Sequence, residues 1–157
     1  MKIRSIKSSD YYQLSPVINE WWNGRNMTHM VPKLFFDHFG TTSFCAEDNG
    51  KIVGFLIGFL SQDYIDEGYI HFSGVHPEYR QEGIGRRLYQ HFFDRMKYYD
   101  RSIVCCITSP VNKNSIAYHK KMGFETVEGD KRNGDIWICS NYSGPGEDKV
   151  LFKKELT

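Results

Sequence analysis

The stretch from Tyr69 to Lys97 constrains the fold most, because one kind of secondary structure must give way to another within it. Its first part, with Ile70, Phe72 and Val75 among aromatic residues, is typical of a strand. This strand must end at Pro77, since proline has no backbone N–H to donate to a neighbouring strand. The second part predicts an amphipathic helix with one buried face, because apolar residues recur every four positions. These residues are Ile84, Leu88, Phe92 and Met96.

The turn between strand and helix, residues 80–85, reads Arg-Gln-Glu-Gly-Ile-Gly. Because Gly83 and Gly85 lack a Cβ, backbone N–H groups can approach a ligand closely there. Helix N-termini bind anions, since their first N–H groups are unpaired and the helix dipole is positive at that end. Glycines in such a turn can also serve backbone geometry alone. The turn therefore predicts an anion site, with a purely structural role as the alternative.

Composition favours one ordinary globular domain, residues 1–157, with 40% apolar and 25% charged residues. A net charge of +1 argues against a nucleic-acid partner, which would favour a strongly basic surface. Arg80, Arg86 and Arg87 nevertheless form a local basic patch that suits a ligand carrying phosphates.

Cysteine usage and hydropathy restrict the remaining classes. The four cysteines, Cys45, Cys105, Cys106 and Cys139, show no C-x-x-C spacing, so we expect free thiols and neither a metal site nor a disulfide framework. No segment has the roughly 20 apolar residues of a membrane span, and the first ten residues lack the apolar part of a signal peptide. These features predict a cytoplasmic protein without a membrane partner.

The N-terminal third predicts a strand at Ile3 to Ile6 and a helix from Tyr11 to Trp22 that Pro16 kinks or restarts. A second helix is predicted from Thr28 to about Phe39, with Pro32 in its first turn. Candidate N-caps are Ser9 or Asp10 for the first helix and Thr28 for the second. Asn49-Gly50, between residues 42–47 and 51–60, predicts a β-hairpin, because such turns need left-handed backbone at both positions.

The second hairpin strand is apolar nearly throughout, which is typical of a central strand buried on both faces. Gly54 and Gly58 leave room there for a close neighbour. Residues 102–108 predict another buried strand, parallel to the one before the long helix. Residues 131–148 predict strand and loop, and residues 149–153 a final strand.

A second informative stretch runs from Ser109 to Phe124. On a helical wheel, Asn112, Ser115 and His119 form one polar stripe beside an apolar sector that contains Tyr118 and Met122. We expect this polar stripe to line a cleft.

Both stretches resemble known motifs. Residues 75–88 are similar to motif A of the GNAT (Gcn5-related) N-acetyltransferases, [Q/R]xxGxG/A after a strand, whose backbone amides hold the pyrophosphate of acetyl-CoA. A P-loop fits less well because GK[ST] is absent, and a Rossmann turn because Leu88 stands where its third glycine would be. Residues 112–124 resemble motif B of that family, N-x-x-A-x-x-x-Y-x-x-x-G-F, and Asn112, Gly123 and Phe124 match in spacing.

In motif B the asparagine lies beside the cofactor and the tyrosine protonates the departing CoA thiolate. His119 occupies the position of that tyrosine, and Tyr118 is one residue away, about 100° around the helix. His119 is therefore the predicted general acid, because an imidazole can donate a proton near neutral pH. A polar residue at a cleft edge without a catalytic role is the alternative.

The resemblance implies a single α/β (α+β) domain with a mixed, mostly antiparallel sheet of six or seven strands. The sheet would be splayed between two parallel central strands, with helices on both faces. It implies acetyl-CoA as co-substrate and direct acetyl transfer, in a ternary complex, to a primary amine of a small molecule, peptide or protein. A homodimer is the commonest assembly to expect. The implied cofactor-binding residues are Ser73, Gly74, Val75, Arg80, Gln81, Glu82, Gly83, Ile84, Gly85, Arg86, Asn112 and Ser115.

The acceptor side is less defined. Many relatives carry a glutamate base where this chain has Ile107, and Asp66, Glu67 and His71 are weaker candidates for the base. The family acceptor pocket would involve residues that core packing explains equally well: Trp21, Trp22, His29 and Met30. Two alternatives to an enzyme remain. One is a CoA-binding sensor or interaction module without catalysis, and the other is a nucleotide-phosphate binder, which leaves residues 112–124 unexplained.

Overall fold

The computed structural model describes residues 1–157 and contains a seven-stranded sheet with helices on both faces. The nine strands of the chain are β1 (Lys2–Ser5), β2 (Phe44–Asp48), β3 (Lys51–Leu60), β4 (Glu67–Val75), β5 (Ile103–Thr108), β6 (Glu125–Thr126), β7 (Lys131–Asn133), β8 (Ile136–Ile138) and β9 (Val150–Glu155). The large sheet has the order β1-β2-β3-β4-β5-β9-β6, while β7 and β8 form a separate hairpin. Only β4 and β5 run parallel. This confirms the predicted mixed, mostly antiparallel sheet.

The helices are α1 (Asp10–Leu14), α2 (Ile18–Trp21), α3 (Lys33–His38), α4 (Ile84–Tyr98) and α5 (Lys113–Lys121). One core contains Leu88 and Phe92 of α4 together with Phe152 of β9. A second core, on the other face, contains Leu14 and Ile18 of the first two helices. The four-residue period of the long helix is therefore confirmed, and each face of the sheet is covered. No helix has the length and apolar character needed to cross a membrane.

The predicted hairpin forms between β2 and β3, with positive φ at both turn residues: 50° at Asn49 and 82° at Gly50. The expected close neighbour of β3 is α4. A Cβ built on Gly54 would lie only 2.9 Å from Ile84 Cγ2, so the missing side chain lets helix and strand approach.

The parallel strands β4 and β5 pair over only three residues each. Glu67 to Tyr69 align with residues 103–105, and beyond them β5 pairs with β9 alone. From Ile70 to Val75, β4 keeps β3 as its sole partner. The strands therefore part, which confirms the splay, and the free edge of β4 faces the gap.

The first predicted helix is interrupted at Pro16, as expected, and the N-terminal helices are shorter than predicted. Ser9 occupies the predicted N-cap position of α1, whereas the predictions of Asp10 and Thr28 as caps were wrong. The helical stretch near Pro16 is divided into α1 and α2, and Ser9 makes no capping hydrogen bond. The Asp10 carboxylate instead accepts a hydrogen bond from the Lys7 N–H at 2.7 Å and pairs with Arg4 at 2.8 Å. Thr28 begins a short 3₁₀ turn, and its hydroxyl bonds to the side chain of Asn26. The side chains of Asp10 and Thr28 thus bond other partners, and these bonds compete with capping.

Candidate active site

A cleft of about 620 Å³ lies where β4 parts from β5, beneath the N-terminal end of α4 and beside α5. Nine of the twelve predicted cofactor-binding residues line it: Ser73, Gly74, Val75, Arg80, Gln81, Gly83, Ile84, Gly85 and Arg86. Glu82, Asn112 and Ser115 do not. The two motifs are thus brought to one site, although they do not contribute all of the expected residues.

The turn at residues 80–85, called the glycine turn below, has the geometry of an anion site. Gln81 and Gly83 both have positive φ, 71° and 79°, and nothing lies within 4 Å of the position of a Gly83 Cβ. None of the backbone N–H groups from Gln81 to Arg86 donates a hydrogen bond within the protein. Consecutive free N–H groups at a helix N-terminus form a concave site of positive potential.

The arginines of the basic patch have different roles. The Arg80 guanidinium is tied to backbone carbonyls, donating from Nη2 to Trp21 O at 2.6 Å and from Nε to Val75 O at 3.1 Å. It therefore fixes the turn against the end of β4. Arg86 is exposed at the cleft, and Lys121 of α5 joins it there. Arg87, Lys121 and Lys154 line an adjoining cavity of about 380 Å³, which continues the positive surface.

The expectation that the polar stripe lines the cleft was wrong: Tyr118 and Lys121 of α5 line it, together with Met122 just after the helix. The Tyr118 hydroxyl is buried without a hydrogen-bond partner and lies 3.0 Å from where a Gly85 Cβ would be. Burial raises the pKa of Tyr118, and the nearby charge of Arg86 opposes this rise. A buried hydroxyl without a partner costs free energy, so the site favours a ligand with a polar group at this point.

His119 lies behind the cleft wall. Its ring is 7% exposed, stacks on Phe152 with ring centroids 5.0 Å apart, and contacts Phe124. Nδ1 lies 2.8 Å from Ser115 O, and Nε2 lies 2.9 Å from the hydroxyl of Tyr89. Tyr89 itself lines the cleft. Of the groups that bond the His119 imidazole, only Tyr89 lines the cleft.

The other residues of motif B support the helix. Asn112 is exposed and is the N-cap of α5, because its Oδ1 accepts a hydrogen bond from Ser115 N at 3.1 Å. Ser115 in turn presents its carbonyl to His119. The sequence predicted that Glu82, Asn112 and Ser115 bind the cofactor, but these three residues do not line the cleft.

The predicted base and acceptor residues lie outside the cleft, with one exception. Trp22 lines the cleft and stacks on Phe72, ring centroids 5.0 Å apart. Trp21 is a core residue and His29 is exposed. The Met30 carbonyl lies 2.8 Å from Nε2 of His71.

Among the candidate bases, burial lowers the pKa of His71, which its hydrogen bond to Met30 only partly opposes. Glu67 accepts a hydrogen bond from the Cys105 thiol at 3.1 Å, and Asp66 is exposed. No carboxylate lines the cleft.

Sequence reasoning missed Tyr89, which turned out to connect His119 to the cleft. A signal was available: Tyr89 follows Gly85 by four residues, so both lie on one face of α4. Tyr89 lies among the apolar residues of the long helix, and a hydropathy period does not distinguish a buried tyrosine from its apolar neighbours.

The sequence matches the acetyltransferase (GNAT) family over residues 4–124. It is 32% identical over 116 residues to "Probable hydrolase YhcX" of Bacillus subtilis (strain 168), a match covering 57% of this chain and 22% of that protein. It is 34% identical over 79 residues to the L-2,4-diaminobutyric acid acetyltransferase of Nocardia farcinica (strain IFM 10152), covering 50% of this chain and 41% of that protein. The chain spans less than half the length of either relative.

The fold is also found in solved structures. Diaminobutyrate acetyltransferase EctA from Paenibacillus lautus, in complex with L-2,4-diaminobutyric acid and coenzyme A, superimposes with a TM-score of 0.74 at 20% identity. The match covers 98% of this chain and 93% of that one. The family match includes β4, the glycine turn, α4 and α5, the elements that form the cleft. On this evidence the chain belongs to the GNAT family of acetyltransferases.

Proposed function

We propose that the protein is an N-acetyltransferase that binds acetyl-CoA in the cleft and transfers the acetyl group directly to a primary amine. The observation that carries this proposal is the glycine turn: its N–H groups from Gln81 to Arg86 make no hydrogen bond within the protein, and all of these residues except Glu82 line the cleft. A pyrophosphate suits this turn, because its oxygens can accept several of these hydrogen bonds at once.

The other parts of the cleft suit the rest of the cofactor. Arg86, Arg87 and Lys121 supply positive charge for its phosphates. The free edge of β4 up to Val75 leaves backbone groups to bond the extended arm of the cofactor, as a neighbouring strand would. An N–H of this edge, around Ser73 to Val75, would polarise the thioester carbonyl when acetyl-CoA is bound.

The reaction requires the amine nitrogen to bond the carbonyl carbon, the C–S bond to break, and the thiolate to gain a proton. His119 is the candidate source of that proton, reaching the cleft through Tyr89. The similarity to enzymes named for acetylating 2,4-diaminobutyric acid supports an amine acceptor. The acceptor class therefore includes amino acids and other small amines, with peptide and protein amines as the wider set.

A second function, a CoA-binding module without turnover, is favoured by one observation: the cleft has no carboxylate to act as a general base. Release of free CoA from acetyl-CoA, measured over a panel of small amines and peptides, separates the two. Acetylation of any member supports the enzyme. Acetyl-CoA binding without CoA release across the panel supports the module.

The cofactor site itself is tested by Gly83→Val. Its side chain would occupy the open space above the turn and keep the pyrophosphate away from the N–H groups. We expect acetyl-CoA binding in calorimetry to weaken by roughly 10-fold or more, since a lost hydrogen bond to a charged group costs about 1.5–3 kcal/mol. Gly146→Val is the matched control, because Gly146 has a similar φ of 76° and open surroundings away from the cleft. Equal affinity in the two folded variants would contradict the assignment.

A further inference from the structure

A buried chain of hydrogen bonds leads from α5 to the cleft. Ser115 O and Nδ1 of His119 are 2.8 Å apart, and Nε2 of His119 and the Tyr89 hydroxyl are 2.9 Å apart. Both side chains are nearly inaccessible, with 7% of His119 and 3% of Tyr89 exposed. A polar chain that is this well buried and fully bonded holds its members in one geometry.

The positions of the protons follow from the partners. A carbonyl oxygen only accepts hydrogen bonds, so Nδ1 of His119 carries the proton that bonds Ser115 O. In a neutral imidazole Nε2 is then unprotonated, and the Tyr89 hydroxyl donates to it. Burial lowers the pKa of His119, more than its bond to Ser115 raises it, which keeps the ring neutral at pH 7.

Tyr89 lies at the reacting end of the cleft. Its ring is part of the cleft wall, which Ser73 on the free edge of β4 also lines. Ser73 belongs to the segment where the thioester carbonyl is proposed to bind. No charged side chain shifts the pKa of Tyr89 or of His119. The titratable neighbours of these two residues are Cys106 of β5 and Tyr118 of α5.

We propose that Tyr89 and His119 form a proton relay that carries the amine proton to the thiolate, an inference that rests on the proposed function. When the amine has bonded the carbonyl carbon, its nitrogen gives a proton to the Tyr89 oxygen as Tyr89 gives its own proton to Nε2 of His119. The imidazolium then donates from both nitrogens, to Ser115 O and to Tyr89. As the C–S bond breaks, Nε2 returns a proton to Tyr89, which passes its own to the sulfur.

The relay balances protons and charges without any further reactant. One proton leaves nitrogen, one reaches sulfur, and both side chains end as they began. Tyr89 is the catalytic residue, because it alone of the pair reaches the cleft, and His119 is a positioning residue that holds the proton and acts through it. The relay also explains how a cleft without a carboxylate could serve a reaction that needs a base.

Tyr89→Phe tests the relay, because it removes one oxygen and keeps the ring that packs against Phe93 and Phe124. We expect kcat for the amine found in the panel to fall by roughly 10²–10⁴-fold, the range of general acid–base catalysis, with acetyl-CoA affinity in calorimetry unchanged. Tyr98→Phe on the same helix is the control, since its side chain is 77% exposed and should leave kcat unchanged.

His119→Gln should lower kcat by a similar factor, and the double variant should lose little more than the worse single one, because the two residues act as a unit. Nitrogen NMR of His119 gives a readout apart from turnover. We expect the Nδ1–H tautomer in the wild type and a shifted Nε2 signal in Tyr89→Phe.

The outcomes separate this inference from the proposed function. Wild-type protein that binds acetyl-CoA but acetylates no amine would overturn both. Wild-type turnover that Tyr89→Phe leaves intact, additive losses in the double variant, or an Nε2–H tautomer would overturn the relay alone.

Discussion

The Tyr118 hydroxyl is the one side-chain polar atom of the cleft wall that is buried without a partner. Burying a hydroxyl without a hydrogen-bond partner destabilises a protein, and a bound ligand or an ordered water can supply the missing bond. Its position beside Gly85 points to a cofactor atom near the glycine turn and away from the β4 edge around Ser73. At the scale of single residues, we therefore propose a binding role for Tyr118, in contrast to the proton-transfer role proposed for Tyr89 and His119.

Tyr118→Phe should accordingly weaken acetyl-CoA binding by roughly 2- to 10-fold, the equivalent of one ordinary hydrogen bond. Its effect on kcat should be much smaller than that of Tyr89→Phe. The stability of the free protein should be unchanged or slightly raised, since an unpaired buried hydroxyl is lost. Calorimetry, steady-state kinetics and urea unfolding give the three values. A large loss in kcat with normal binding would instead identify Tyr118 as the proton donor.

At the scale of elements, the approach of α4 to the sheet depends on glycines in β3 and β4. A Cβ at Gly58 would collide with the ring of Phe92 and lie 2.9 Å from Tyr69 O. A Cβ at Gly68 would meet the thioether of Met96, a flexible side chain that can move aside. An added Cβ should therefore destabilise the protein more at Gly58, beside the rigid ring of Phe92, than at Gly68, beside the flexible Met96.

Gly58→Ala should destabilise the protein by about 1–3 kcal/mol, the usual cost of overpacking a core. Gly68→Ala should cost clearly less, because Met96 can adopt another rotamer. Urea unfolding of both variants measures the difference. Equal losses would mean that α4 shifts as a whole and that Phe92 does not hold it in place.

The sequence predicted these elements well where the pattern was local and long. The hairpin at Asn49-Gly50, the four-residue period of α4 and the apolar strand β3 all appeared at nearly the predicted positions. The wheel for α5 correctly grouped Ser115 with His119, but the prediction that this polar stripe lines the cleft was wrong. That choice depends on Phe152 and Tyr89, which belong to other elements and pack around His119.

At the scale of the whole molecule, Arg4 of β1 joins α1 to the edge of the sheet, pairing with Asp10 at 2.8 Å and Glu47 at 2.6 Å. Burial alone would raise the pKa of Asp10, but the hydrogen bonds from Arg4 and Lys7 lower it below its ordinary value of 3.8. A carboxyl whose pKa is lowered by folding stabilises the protein above its unfolded pKa and loses that contribution as the pH falls through the folded pKa.

Asp10→Asn should therefore lower the free energy of unfolding at pH 7 by about 1–3 kcal/mol, the cost of leaving a half-buried charged donor poorly paired. The difference between wild type and variant should shrink as the pH falls below 3.8. Asp37→Asn is the control, because it removes a pair with Lys33 at the surface and should change stability little. A difference for Asp10 that stays constant down to acidic pH would show that its charge is not what stabilises the fold.

The sequence by itself determined the family, the order of elements and the position of the proposed anion-binding turn, because each is encoded in neighbouring residues: apolar periods, turn glycines and motif spacing. Only the tertiary structure decided which residues meet at the site. Tyr89 contacts His119 across 30 positions of sequence, and Arg80 bonds Trp21 across 59. Such contacts arise from the packing of whole elements against a shared core, so no local pattern specifies them. The proposed proton path to the cleft therefore depends on contacts that exist only in the folded chain.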